Sequence, residues 1–337
     1  MPQPRYLPDR RWVARLAPSR REQQMAVSEA LDQRAFVRAP RRGAVTRLLE
    51  DERWLAVALL VPTVVLLGMF IAYPFVQGVL LAVTDTKVGL PGRFIGVQNF
   101  VALMHDSIFR TAVWNTFVYT AVATVFKLGL GLWLALLLNR NFKGKAFTRA
   151  FILLPFIIPT VLSTFAWKWM FDPTFSVINW TLFQIGLIHG RINWLGDPDL
   201  ALISVIIVNV WRGVPFFAIS LLAGLQTINP ELQEAAAIDG ARAWQRFWHV
   251  TWPLLLPVTM VVVLFSIIQT FADFQLVYVL TGGGPANATQ LFATYAYQIG
   301  VGTGLLSEGA AVSLAMFPFL LIVVVVQLLY IRRVEVH

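Results

Sequence analysis

Long apolar runs dominate the chain, and its polar residues gather in blocks between them. The runs at 55–82, 112–138, 147–170, 200–223, 254–280 and 310–331 each reach the roughly 20 residues a helix needs to cross the hydrocarbon core of a bilayer. The pattern predicts an all-α polytopic membrane protein with six transmembrane helices. An even number of crossings puts both termini on one side. The first run has few polar residues beyond Thr63, Tyr73 and Gln77, as suits a helix that faces lipid. The connections 83–111, 171–199 and 281–309 are longer than turns require. The first carries Phe94, Ile95, Val97, Phe100 and Val101, and the second carries Phe175, Ile178, Trp180, Phe183, Ile185 and Trp194. Such apolar content predicts short external helices that pack on the bundle or dock a partner.

The basic residues decide the orientation. Of 27 Lys and Arg, twelve arginines precede residue 54, and further groups lie at 139–149, at Arg242 and Arg246, and at Arg332-Arg333. All of these share one face of a six-span arrangement, while only Lys87, Arg93, Arg110 and Arg191 lie on the other. Positive charge marks the cytoplasmic side, so N- and C-termini are expected in the cytoplasm. Residues 1–53 read as a separate basic extension, 54–331 as the membrane domain and 332–337 as a cytoplasmic tail. The extension mixes seven acids with its arginines, so anionic lipid accounts for the net charge of +9 without nucleic acid. Ser19 and Glu22 have capping-box spacing, which predicts a helix over about 20–35, as either a docking arm or a topogenic tail. The chain has no cysteine, and no cleavable signal is expected ahead of a first apolar run that starts so late.

A charge in mid-span costs about 2.5–3.5 kcal/mol on insertion scales, so the few present invite a reason. In the second run Thr116, Thr120, Thr124 and Lys127 form one polar stripe. In the fifth, Thr259, Ser266, Gln269, Thr270 and Asp273 recur at spacings of three, four and seven, and the fourth holds Asn209, Trp211 and Arg212. Three inward polar faces suit a water-accessible substrate path, with Thr124, Lys127, Asn209, Trp211, Arg212, Gln269, Asp273 and Tyr278 as candidates. The alternative is structural: Lys127 pairs with Asp273, and the Thr and Gln side chains glue helices together. Lys168, between Trp167 and Trp169, is explained by snorkelling. No His-Glu-x-x-His, Gly-x-Ser-x-Gly, acidic metal cluster or Walker sequence occurs, so no catalytic or metal-ligating residue is assigned. The run Gly282, Gly283, Gly284, Pro285 reads as a helix stop, not a phosphate cradle.

Between the fourth and fifth runs lies a polar helix–turn–helix over 231–253. Glu231 and Glu234 follow Asn229-Pro230, where acids suit a helix start. Three alanines make a slim helix, Gly240 can turn the chain sharply, and Trp244, Phe247 and Trp248 recur at helical spacing. Taken alone, this could be an amphipathic helix on the membrane surface. Glu234, Ala235, Ala236, Asp239, Gly240, Ala241, Phe247, Val250, Pro253 and Pro257 nevertheless stand at the spacing of the EAA loop of ABC importer permeases, which the stretch resembles. Tyr278 to Pro285 resembles the signature closing span five in the carbohydrate-uptake branch of that family. Phe171-Asp172-Pro173, Asn179 and Asn193-Trp194-Leu195 resemble its second external loop, although Phe175-Ser176 replaces the usual aromatic-Gly pair.

The resemblance covers about 55–331 and points to the maltose, oligosaccharide and glycerol-phosphate branch. It implies an ABC type I importer permease fold in the bacterial inner membrane. It also implies a permease subunit that translocates a di- or oligosaccharide or sugar alcohol delivered by an extracytoplasmic solute-binding protein. Such a chain is not itself an enzyme and binds no cofactor: a cytoplasmic ABC ATPase dimer uses ATP and Mg, and a second, different permease completes the pore. An anionic solute, glycerol 3-phosphate or a uronate oligosaccharide, is the alternative that Lys127 and Arg212 raise and Asp273 opposes. A membrane receptor or scaffold would leave the EAA-like loop unexplained.

Overall fold

The computed structural model describes residues 52–335 and, in the basic extension, Arg21, Gln24, Met25 and Ser28 alone, which are helical. Ser19, Glu22 and the rest of the helix expected over 20–35 lie outside the described residues. By its internal contacts the chain divides after Tyr73. The first unit contains α1 (Glu52–Leu67), which runs through Pro62 into a single π-turn at Gly68–Ala72. Leu59, Val64, Met69 and Phe70 are exposed along it, as lipid-solvated side chains are. Helix α2 (Tyr73–Ala82) ends the run and, from Pro74 onward, belongs to the second unit.

The second unit is a helical bundle. Helix α3 (Gln98–His105) precedes the long α4 (Ser107–Asn139), and α5 (Lys145–Ile157) and α6 (Thr160–Met170) follow. Next come α7 (Val177–Gln184), α8 (Pro198–Thr227), α9 (Pro230–Ile238), α10 (Ala243–Arg246), α11 (Trp252–Phe271), α12 (Gln275–Leu280), α13 (Phe292–Tyr297) and α14 (Leu306–Glu335). Among the described residues, five helical runs are long and apolar enough to cross a membrane, and α5 with α6 makes a sixth if the pair is one span.

Two of the expected spans differ from straight helices. The third, expected over 147–170, bends by 89° between α5 and α6. Ile158 is extended there (φ −63°, ψ 131°), because the ring of Pro159 disfavours a helical residue before it. The fifth, expected over 254–280, starts eleven residues earlier: α10 passes through a π-turn at Phe247–Thr251 straight into α11. It also stops at Phe271 and restarts at Gln275, leaving Asp273 in the gap. Pro253 follows directly on the π-turn at Phe247–Thr251, where the helix is locally widened, and the chain stays helical through it.

Helices α4 and α8 pack along much of their length. Ala135, Leu138, Phe217, Leu221, Leu222 and Leu255 form a core at one end, and Tyr119, Phe171, Val205, Leu276 and Leu280 form another toward the opposite end. In lipid such cores gain from close packing and interhelical hydrogen bonds more than from water exclusion.

The three long connections do contain helices, and they are pinned to the bundle. Asn99 Nδ2 donates to the carbonyls of Ala82 (2.9 Å) and Thr84 (2.7 Å). Trp194 Nε1 donates to Asn179 Oδ1 (2.9 Å), whose Nδ2 donates to the Ile192 carbonyl (2.9 Å), closing the 171–199 connection on itself. Phe171 packs against Trp194 at 5.7 Å, so the residues that carry the loop resemblance are in contact. Asp106 caps α4 through the Ile108 amide (2.8 Å) and accepts from the Tyr295 hydroxyl. Burial, reinforced by that carboxylate, pushes the Tyr295 phenol above its ordinary range.

Candidate translocation path and coupling surface

The polar stripe of α4 meets α8 and the break after α11 in one buried cluster. Lys127 is 3% exposed, and its ammonium donates to Thr270 Oγ1 at 2.7 Å. Asp273, 8% exposed, accepts from the Tyr119 hydroxyl (2.8 Å) and Asn209 Nδ2 (3.1 Å) through Oδ2. Two helices, α4 and α8, are thus tied to the gap between α11 and α12 by one carboxylate. Gly213 makes the site possible on the α8 side, since a Cβ there would stand 2.3 Å from Lys127 Cδ. The Lys127–Asp273 pair of the structural alternative is not the contact formed: each takes a neutral partner. Among the described residues, the hydroxyls of Thr120, Thr124 and Ser266 and Oδ1 of Asn209 are buried without a hydrogen-bond partner. Such atoms are costly, at about 1–3 kcal/mol each, unless a hydroxylated ligand or water meets them in some state of the cycle.

The remaining candidates make their direct contacts outside this hydrogen-bonded cluster. Trp211 packs edge-on against Trp167 at 5.4 Å, and Arg212 donates through Nη1 to Thr160, the first residue after the bend of the third span. Both are half-buried at the α5–α6 bend, and the Arg212 guanidinium also stands within charge range of Tyr119 and Lys127 in the cluster. Gln269 is exposed, because it sits at the margin of the stripe defined by Ser266, Thr270 and Asp273. Tyr278 is 45% exposed and belongs to an aromatic group with Phe274 (4.9 Å) and Tyr297 (5.1 Å). Thr116 and Thr259 are structural: Thr116 Oγ1 accepts from the Phe292 amide at 3.0 Å, and Thr259 Oγ1 donates to the Leu255 carbonyl. Lys168 Nζ donates to the Val279 carbonyl at 3.3 Å, tying α6 to α12. Gly282 to Pro285 leave the end of α12 and wrap buried Thr289, whose hydroxyl donates to the Gly284 carbonyl at 2.7 Å.

Sequence reasoning missed Tyr119 and Tyr297. Tyr119 lies on the Thr116–Lys127 face, and an isolated tyrosine in that stripe was the available signal. Nothing local pairs Tyr297 with Tyr278, because the contact crosses the glycine loop.

At the other end, Asn229 Oδ1 caps α9 by accepting from the Glu231 amide at 3.0 Å. The helix closes in a Schellman turn, with Gly240 N to the Ala237 carbonyl (3.1 Å) and Ala241 N to the Ala236 carbonyl (2.9 Å). That turn needs the left-handed conformation that Gly240 adopts (φ +81°). The second arm starts where Gln245 Oε1 accepts from the Arg242 amide (2.8 Å), and Gln233 Nε2 joins the arms by donating to Thr251 Oγ1 (2.8 Å). Glu234, Ala235 and Asp239 are exposed, while Ala236 and Ala241 are half-buried. Ile238, which sequence reasoning did not single out, is 86% exposed at the tip. Phe247 is held among Trp244, Trp248 and Trp252, with ring centroids 5.1–6.4 Å away. The result is a firmly capped, slim knob with an apolar tip, standing on an aromatic base continuous with α11.

A family described as "Binding-protein-dependent transport system inner membrane component" matches residues 127–336. The sulfoquinovosyl glycerol transport system permease protein of Agrobacterium fabrum is 36% identical over 290 residues, covering 85% of this chain and 94% of that protein. The trehalose/maltose transport system permease protein of Thermococcus litoralis is 32% identical over 284 residues, covering 84% and 95%. Among solved structures, a bacterial ABC transporter involved in import of the acidic polysaccharide alginate superposes with a TM-score of 0.73 at 26% identity, covering 85% of this chain and 99% of its own. The alginate transporter in complex with an alginate pentasaccharide-bound periplasmic protein gives 0.72 at 25%, covering 83% and 96%.

Proposed function

The chain belongs to the family of binding-protein-dependent transport system inner membrane components, a multi-pass permease, and from that premise we propose that it translocates a carbohydrate handed over by an extracytoplasmic binding protein. The observation that carries the transport reading is the pairing of two features on one helix. The capped knob of α9–α10 runs without a break into α11, and α11 ends at the buried polar cluster around Asp273. A push on the knob therefore reaches the cluster through a rigid element about 29 residues long.

In this account both termini and the knob face the cytoplasm, where a pair of ATPase subunits binds ATP and Mg and grips Ile238, Glu234 and Ala235. Closure of the ATPases rocks α11 and repositions the α11–α12 gap against α4 and α8. A second, different permease supplies the opposite wall. The orphaned hydroxyls of Thr120, Thr124 and Ser266 then meet sugar hydroxyls, and Phe274, Tyr278 and Tyr297 offer ring faces of the kind sugars stack on. This chain supplies positioning and binding; the chemical step stays on the ATPase. A specific observation favours an acidic carbohydrate as a second reading. Lys127 donates to a threonine rather than to Asp273, and Arg212 likewise has a threonine partner, so among the described residues neither cation is bonded to a carboxylate.

The test is ATP-dependent uptake by the reconstituted transporter with its binding protein. Glu234→Lys is expected to abolish uptake while membrane insertion and assembly of the bundle persist. Undiminished uptake by that variant would overturn the coupling assignment.

A further inference from the structure

A cavity of about 560 Å³ opens between the end of α4 and the α9–α10 arms. Its wall is apolar and aromatic, with Trp133, Leu136, Trp244 and Phe247, and its charged lining residues are Arg140 and Arg246. No carboxylate among the described residues lines it. Among the described residues, neither guanidinium donates a side-chain hydrogen bond. The floor is the Gln233–Thr251 bond, whose far side faces the groove that holds Glu234.

The depth of this cavity is set by the sequence. The apolar run of α4 ends at Asn139-Arg140, so the cavity lies where the span leaves the hydrocarbon. Trp133 and Trp244 are 58% and 70% exposed there, the place where an indole is stable with one edge in lipid and one in water. From the cavity an exposed apolar stripe of Phe126, Leu130, Trp133 and Leu137 climbs α4 at spacings of four, three and four. Two cations at the boundary above an apolar track are complementary to an amphiphile with an anionic head and acyl tails. A soluble anion would use the arginines and leave the track bare; a neutral lipid would do the reverse.

We propose that this cavity holds the head group of an anionic phospholipid, with its acyl chains along the α4 stripe. The lipid bridges Arg140 at the end of α4 to Arg246 at the base of the knob. It thereby braces the coupling arm against the bundle. The inference depends on neither the substrate nor the identity of the ATPase.

The test uses the assembled transporter in nanodiscs of phosphatidylcholine containing phosphatidylglycerol. Retained lipid is counted by native mass spectrometry, and affinity is read from titration with spin-labelled phosphatidylglycerol. The double substitution Arg140→Gln with Arg246→Gln is expected to weaken binding by roughly 30-fold, two arginines at about 1 kcal/mol each near the surface. Arg140→Lys with Arg246→Lys keeps the charge and is expected to keep most of the binding, which separates charge from misfolding. Lys143→Gln with Lys145→Gln removes two cations of the same segment that do not line the cavity, and is expected to leave retention unchanged. Equal loss from that pair would replace the site with general surface attraction and overturn the proposal. Displacement of the lipid by millimolar inorganic phosphate would assign the arginines to a free anion and also overturn it. Undiminished lipid with loss of the ATPase from the Gln variant would make the cavity a protein interface, to the same effect.

Discussion

Replacing Asp273 by leucine probes the buried cluster at its hub. The carboxylate accepts from Tyr119 (2.8 Å) and Asn209 (3.1 Å), and leucine fills a similar space without accepting anything. Two buried side-chain donors are left unpaired, and the Leu276 amide at the start of α12 loses a longer contact (3.4 Å); in a water-soluble protein each well-formed loss costs about 1–3 kcal/mol. Interhelical hydrogen bonds within membranes average nearer 0.6 kcal/mol, with a ceiling near 1.7. Asp273 is 8% exposed and packed among three helices, so water cannot easily rescue the orphans, and a total of about 2–3 kcal/mol follows. At about 2–4 °C per kcal/mol for a chain of this size class, the melting temperature of the solubilised complex should fall by roughly 4–12 °C. Asp273→Asn retains an acceptor for Tyr119 and should lose less than half as much. The assay is tryptophan-fluorescence thermal unfolding of parent and both variants in one detergent. A leucine variant that melts within about 1 °C of the parent would refute the claim that this carboxylate ties α4 and α8 to the gap after α11.

The other predictions concern the elements around that hub. Gly240→Val should cost about 1–2 kcal/mol of local stability through its left-handed backbone, while Gly240→Asn, which tolerates φ > 0, should retain most uptake; equal effects would remove the role given to the turn. Gly213→Ala drives a Cβ into the Lys127 stem and should destabilise by about 1–3 kcal/mol. Adding Lys127→Ala should recover much of that loss in a double-mutant cycle, whereas simple additivity would contradict the packing. Lys127→Met should reduce uptake of a uronate oligosaccharide by about ten-fold more, or about 1.4 kcal/mol, than uptake of a neutral one; equal reduction would favour a neutral substrate.

The spans were legible because the bilayer imposes length and apolarity directly on the sequence: five lie near their expected places, and the bent pair α5–α6 occupies the stretch expected for the sixth. The bend at Ile158 was visible only as Pro159, since a proline inside an apolar run reads equally as a kink or as nothing: Pro155, four residues earlier, stays within α5. The gap at Ala272–Phe274 carries neither Pro nor Gly. It is fixed by bonds that reach Asp273 from α4 and α8, and so lies beyond local pattern. The stripe Thr124–Lys127 placed the cluster on the correct face of α4, because period fixes direction within one helix. Tyr278 stands beyond the gap, where that period no longer carries over, and the structure puts it in a different group with Tyr297. The start of α11 was set too late for a related reason: polar and aromatic residues 243–252 lack the apolar signal of a span yet continue its helix.

The measurement that tests the central claim most directly is gentle solubilisation of the native membrane, capture of this chain and identification of its stoichiometric companions. The account predicts two ATPase subunits and a second six-span permease, together with a binding protein whose bound ligand is a carbohydrate. Recovery of this chain alone, under conditions in which ABC complexes survive, would contradict it and leave the capped knob without a partner.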